Sequence, residues 1–290
     1  MNTQAPDRPA TQTTLASLLG MWSVEVTTRD KDSLAFAETS LPRGAPVFVA
    51  SLIKDPADHL VAAALRLRRA GLEPVPHIVA RNIPNRPALE DLVARLAGEA
   101  GVRRALVLGG DRDKPTGDFD SSLQLVETGV FARRNFQQLL FACYPEGHRR
   151  IPDTALDAAR AAKIEAGRAQ GMEIGLVSQF CFDAAPIIAF AERIRKQGET
   201  VPLFVGVAGP TEHARLVKYA LICGVGPSLR ALMERQGLAK NMLAGETPER
   251  VLAEVAAAMS ANPSLGVAGV HFFTFGSLAA THKWIQQHAR

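Results

Sequence analysis

The 290-residue chain is poor in cysteine, tryptophan and tyrosine, with three, two and two of each. Cys143, Cys181 and Cys223 stand far apart in apolar sequence, so neither a metal-ligand spacing nor a disulfide framework is present. Buried free thiols in a reducing cytosol are the expected state. No apolar run approaches the ~18 residues of a membrane span, and Met1–Thr14 lacks the charged-then-apolar order of a secretory signal. A cytoplasmic protein without a membrane partner is expected. Charge of one sign is also scarce: the net charge is +4, spread over mixed-sign helices. Arg66–Arg69 and Arg149–Arg150 are the dense basic spots, and neither carries the interleaved aromatics of a nucleic-acid platform. No nucleic-acid partner is expected, although a mild pull on anionic ligands is.

What the chain does have is apolar mass, 47% of its residues, and an alternation that runs its length. Strand-like runs occupy 22–26, 47–51, 74–79, 105–108, 139–143, 174–179, 202–205 and 269–273, each short and nearly free of charge, as parallel strands covered on both faces are. Helical periods fill 58–70, 87–100, 121–134, 153–170, 185–197, 211–221 and 247–259, with a lead-in helix at 15–21. The first crossover, 28–46, holds only a short helical stretch near 34–38. Gly and Pro are dispersed, so no linker divides the chain. The pattern predicts one domain, a (β/α)8 TIM barrel over 15–290 behind a flexible tail at 1–14, in keeping with barrels of about 250 residues.

Barrel chemistry is carried by the strand C-termini, where Glu25, Ser51, His77, Asp111, Tyr144, His148, Gln179, Asp183 and Thr274 fall. Metal-ligand spacing is absent from this set, and no serine occupies a nucleophile elbow. Acids, amides and aromatics of this kind suit holding a flat heterocycle and moving one proton, so a cofactor-carried reaction fits better than hydrolysis. Glu25 inside a β-branched run needs a partner or a shifted pKa. His77, taken alone, reads as a hydrogen-bonded core histidine, Lys163 as a solvated helix charge, and Tyr219 as a core aromatic. Gly224-Val225-Gly226 follows a helix, not a strand, and is no dinucleotide fingerprint.

Two segments go further. Tyr144-Pro145-Glu146-Gly147-His148 after the fifth strand and Gln179-Phe180-Cys181-Phe182-Asp183 after the sixth resemble the paired motifs of methylenetetrahydrofolate reductase, a flavin-dependent barrel of one-carbon metabolism. Further matches are Ser23-Val24-Glu25-Val26, Pro76-His77, Gly110-Asp111 and His271-Phe272-Phe273-Thr274, so the similarity spans Trp22 to Phe275. The resemblance implies that Glu25 is the general acid, with a pKa raised by burial, and that Asp111 tunes charge between pterin and flavin. It implies that Gln179 holds the pterin edge and that Tyr219 stacks on folate or nicotinamide. Ser51, His77, Gly110, Asp111, Tyr144, His148 and Lys163 would line the FAD, with NADH or NADPH as co-substrate and a tetrahydrofolate derivative as substrate. Dimers or tetramers are the family habit, and no coiled coil or exposed apolar stripe selects between them.

The chain also departs from the pattern. Ser51-Leu52 replaces Thr-Tyr, Gly109 replaces Arg, Leu156 and Ala159 replace an Asp and an Asn, and Phe275-Gly276-Ser277 replaces the Asn-Arg that follows the last strand. Several polar flavin contacts are thereby absent while Glu25, Asp111 and Gln179 remain. Alongside the flavin route stand direct hydride transfer from NAD(P)H, a non-redox folate-binding methyltransferase barrel, and a non-catalytic folate-binding barrel.

Overall fold

The computed structural model describes residues 14–53, 55–223, 225 and 248–289. The tail at 1–13 and the glycines at 224 and 226 lie outside the described residues. Eight parallel strands close into a barrel in chain order: β1 Trp22–Thr27, β2 Pro46–Ala50, β3 Glu73–Val79, β4 Arg104–Leu108, β5 Gln138–Cys143, β6 Glu173–Ser178, β7 Leu203–Ala208 and β8 Val267–Phe273. Closure is made by β8 on β1, with Glu25 opposite Phe273.

Alternation along each strand sorts side chains into two cores. Val24, Val47, Ile78, Val107, Phe141, Leu176, Val205 and Phe272 face outward into the main core shared with the helices. Phe48, Val75, Leu106, Leu140 and Val177 fill the barrel interior, with Leu108 and Phe204 against them. A third cluster, Phe180, Phe182, Leu216 and Ala220 with Phe273 and Phe275, caps the β6–β8 side of the C-terminal mouth.

Among the described residues the surrounding helices are α1 Leu15–Leu18, α2 Lys31–Ser40, α3 Ala57–Arg69, α4 Arg86–Gly98, α5 Ser122–Glu127, α6 Val130–Arg133, α7 Asp153–Ala169, α8 Ala184–Lys196, α9 His213–Cys223, α10 Glu249–Ala261 and α11 Leu278–His288. Four features differ from expectation. Thr14 belongs to no tail: it caps α1 through a capping box with Ser17. The first crossover is a full ten-residue helix whose start is set by Asp30 accepting from the Ser33 amide, because Leu34 and Ala37 find a buried seat. The 121–134 period breaks into α5 and α6 at Gly129, whose φ of 71° reverses the chain. Finally, α11 packs Leu278, Trp284 and Ile285 into the core although its periodicity did not single it out.

Candidate functional site

Glu25 points into the barrel mouth between two histidines from neighbouring strands. Its Oε2 lies 3.3 Å from His77 Nε2 on β3 and 3.7 Å from His271 Nε2 on β8. Its backbone carbonyl accepts from Thr274 Oγ1 at 2.6 Å, which ties the end of β8 to β1. His271 is fully buried and is held from behind, with Ser23 Oγ 2.9 Å from Nδ1 and the Phe48 ring 4.3 Å from the imidazole.

This setting reverses the expected direction of the Glu25 pKa. Burial alone would raise it, but the contact with His271 and the charges of His77 and His271 outweigh that penalty and hold the carboxyl below its ordinary value. Burial draws His77 down, against the attraction of Glu25. The Ser23–His271 contact lets the unit accept either proton state. If Ser23 donates to Nδ1, Nε2–H faces a carboxylate; if Ser23 accepts from Nδ1–H, a bare Nε2 faces a protonated acid.

The loop carrying Asp111 follows β4 and is pinned to the β3–α4 connection. Arg81 Nη1 donates to the Arg112 carbonyl at 2.8 Å, and Arg112 Nε to Asn82 Oδ1 at 2.8 Å. Gly110 has a φ of 102°, and a Cβ there would stand 2.5 Å from Val79 Cγ1, so the turn that presents Asp111 needs glycine. Asp111 itself is exposed, and Arg150 Nη2 reaches its carbonyl at 3.4 Å. Burial pushes the Tyr144 hydroxyl up to about 12, with the Asp111 charge adding to it. Tyr144 and His148 meet edge to face at 5.0 Å; burial, with Arg150 beside it, lowers the His148 pKa. The Cys223 thiol at the end of α9 is pushed up to about 11, chiefly by burial and then by the negative charges of Asp111 and Glu25. Arg149, on the loop after β5, donates to the Leu221 carbonyl near the end of α9 at 3.1 Å.

Gln179 directly follows β6 and is half-buried. Its side-chain oxygen accepts from the Phe180 amide at 3.1 Å, and its amide nitrogen donates to no described residue. Asp183 is the N-cap of α8, accepting from Ala185 N. Tyr219 is half-buried with one face covered by Phe275, stacked at 4.6 Å and 17°. Ser51 is half-buried beside a loop held by Asp55, which accepts from the Leu52 amide at 3.0 Å, from Arg29 at 2.6 Å and from Thr28.

Lys163 is half-buried, not a freely solvated helix charge. It lies between α7 and β5 with Nζ 5.2 Å from the Phe141 ring centroid, and desolvation lowers its pKa to about 8. Leu156 is half-buried, Ala159 exposed, and Leu52 and Ile53 are 41% and 49% exposed. At Leu52, Gly109, Leu156 and Ala159 no polar side chain is offered to a flavin, whereas His77, Asp111, Tyr144 and His148 are present. Leu52, Ile53, Ile151 and Leu221 are large apolar side chains left exposed. Sequence reasoning missed His271 and Ser23 as site residues, and Arg81 and Arg112 as loop anchors. A histidine at an inward position of β8 was the available signal.

An eight-stranded α/β barrel with an acid between two imidazoles beneath an aromatic mouth is the class that fold and site define. Within it, the family model of methylenetetrahydrofolate reductase matches residues 54–288, and the chain belongs to that family. Glu25 precedes the matched stretch, so its place rests on the geometry above. Among solved structures, an uncharacterized protein from Clostridium thermocellum that binds two copies of 5-methyl-5,6,7,8-tetrahydrofolic acid is 10% identical, covering 91% of this chain and 96% of that one with a TM-score of 0.58. Dihydropteroate synthase from Thermus thermophilus is 14% identical over 92% of each chain, with a TM-score of 0.49. At these identities the likeness is one of fold. Among the described residues no helix is long and apolar enough to cross a membrane.

Proposed function

We propose that the chain interconverts 5,10-methylenetetrahydrofolate and 5-methyltetrahydrofolate with NAD(P)H. The observation that carries this reading is the Glu25 carboxyl held at 3.3 and 3.7 Å by His77 and His271 at the mouth of a family barrel. Glu25 protonates N10 as the bond from N10 to the bridging methylene breaks, which leaves a cationic 5-iminium group. Hydride adds to the methylene carbon to give the methyl product, and the dihydronicotinamide becomes NAD(P)+. A proton from solvent then returns Glu25 to its acid form, with His77 and His271 fixing the orientation of its carboxyl. The carboxylate of Asp111, remote from Glu25 in sequence but on the same mouth, stabilises the cation, and Gln179 orients the pterin through its free amide nitrogen.

The resemblance makes FAD the intermediate hydride carrier. The half-buried Lys163 and the apolar Leu52, Leu156 and Ala159 favour the second reading, in which the nicotinamide delivers hydride directly onto the folate beside Tyr219. Visible absorption of the purified protein, followed by anaerobic addition of NADH or NADPH, separates the two. A flavin spectrum that bleaches supports the carrier; a colourless protein that oxidises NAD(P)H only when methylenetetrahydrofolate is present supports direct transfer. No NAD(P)H oxidation with folate under either condition rejects the proposal.

A further inference from the structure

The opposite, N-terminal end of the barrel holds a cavity of about 310 Å³. Barrel bottoms ordinarily serve stability and are filled, whereas this volume matches the small end of ligand pockets. Its inner wall is aromatic, with Phe48 and Phe204 inside the barrel and Trp22 at the start of β1. Its polar side chains are cationic or neutral: Arg43, Arg104 and Ser23 line it, and no acidic side chain does among the described residues.

Both arginines have donors to spare. Arg104, inward-facing at the start of β4, donates through Nε to Gln138 Oε1 at 2.8 Å, and none of its other N–H groups meets an acceptor among the described residues. Glu73 and Glu173 lie near enough to act on its charge, but Glu73 is already taken by Arg68 at 2.7 and 2.9 Å. Arg43 makes no ion pair or hydrogen bond among the described residues. Its guanidinium lies over Gly71, where a Cβ would stand 3.0 Å from Cζ. A fork of unused N–H donors above an aromatic wall is the chemistry that recognises a planar carboxylate.

We infer that this cavity is a second binding site, separate from the catalytic mouth, for a small planar aromatic carboxylate. The ring lies against Phe48, Phe204 and Trp22, and the carboxylate is taken by Arg43 and Arg104. An occupant would also touch Ser23 and Phe48, the two residues that hold His271 in place beneath Glu25, so the site has a direct physical route to the acid.

The test is calorimetric titration of the purified full-length protein with 2-naphthoate, with tryptophan fluorescence as a second readout because Trp22 is one of two tryptophans. Saturable binding with quenching is expected. Arg43→Gln should weaken it about tenfold, the loss of a charge-assisted contact, and neutral 2-naphthalenemethanol should bind comparably weakly. Glu25→Gln should leave the affinity unchanged. Arg43 is exposed, so its variant folds; Arg104→Gln provides the half-buried counterpart. Absence of binding at millimolar probe, affinity unchanged in both arginine variants, or displacement of the probe by 5-methyltetrahydrofolate would overturn the proposal. Because it does not depend on turnover, it stands or falls apart from the reaction proposed above.

Discussion

At the scale of single residues, the chemistry turns on a carboxyl whose burial is outweighed by two imidazoles. A carboxylate flanked in this way is ionised in the empty site, so the proton it delivers must be taken up as substrate binds. Glu25→Gln keeps shape and hydrogen-bonding capacity but cannot release a proton. Its folate turnover should fall about 10²–10⁴-fold, the usual contribution of general acid catalysis, and steady-state assays of NAD(P)H oxidation with folate measure it. His271→Gln removes the contact that holds the Glu25 carboxyl down, leaving burial to dominate. The Glu25 pKa should then rise, and the limb of kcat/KM that falls with increasing pH should move to higher pH. A limb that stays in place, or moves down, would show that His271 does not act on the acid.

Between elements, α7 and α8 are joined by an ionic cluster. Asp157 accepts from Arg160 at 2.5 Å, from Gln197 at 3.1 Å and from Arg193, and these partners, against a burial cost, hold its carboxyl down to about 2. The folded value lies below the unfolded value of about 3.9, so the stabilisation is fully present above roughly pH 4 and is lost as the pH falls towards 2. Asp157→Asn should destabilise the protein at pH 7 by about 1 kcal/mol, since water screens much of the cluster. Thermal unfolding at pH 7 and pH 2.5 checks this, and the gap between wild type and variant should narrow at the lower pH. The cluster also fixes the crossover helices on either side of β6, the strand that Gln179 directly follows.

For the whole molecule, a ligand gripped by several barrel strands must raise the stability of all of them, because the barrel unfolds as one closed sheet. 5-Methyltetrahydrofolate at 100 times its Kd should add about 2.7 kcal/mol, which for a chain of this size is a rise in Tm of about 5 °C. Differential scanning calorimetry checks it. The same experiment on Glu25→Gln should retain most of the rise, because the acid acts on the transition state more than on binding.

Much of this architecture could be read before any coordinates. Short apolar runs free of charge mark strands buried on both faces, and helical periods between them leave only a closed parallel sheet as the way to cover both sides. The strand-end residues from Tyr144 to His148 and from Gln179 to Asp183 likewise follow from local order along the chain. What could not be read depends on contacts across the barrel. Ser23 and His271, 248 positions apart, meet only because β8 closes on β1, and that closure reverses the Glu25 pKa from the burial-dominated value a lone strand carboxyl suggests. The length of α2, the burial of Lys163 over Phe141 and the covered face of Tyr219 were likewise decided by neighbours remote in sequence. Periodicity determines which face of an element is buried; only the packed barrel determines against what, and the charges met there set the chemistry.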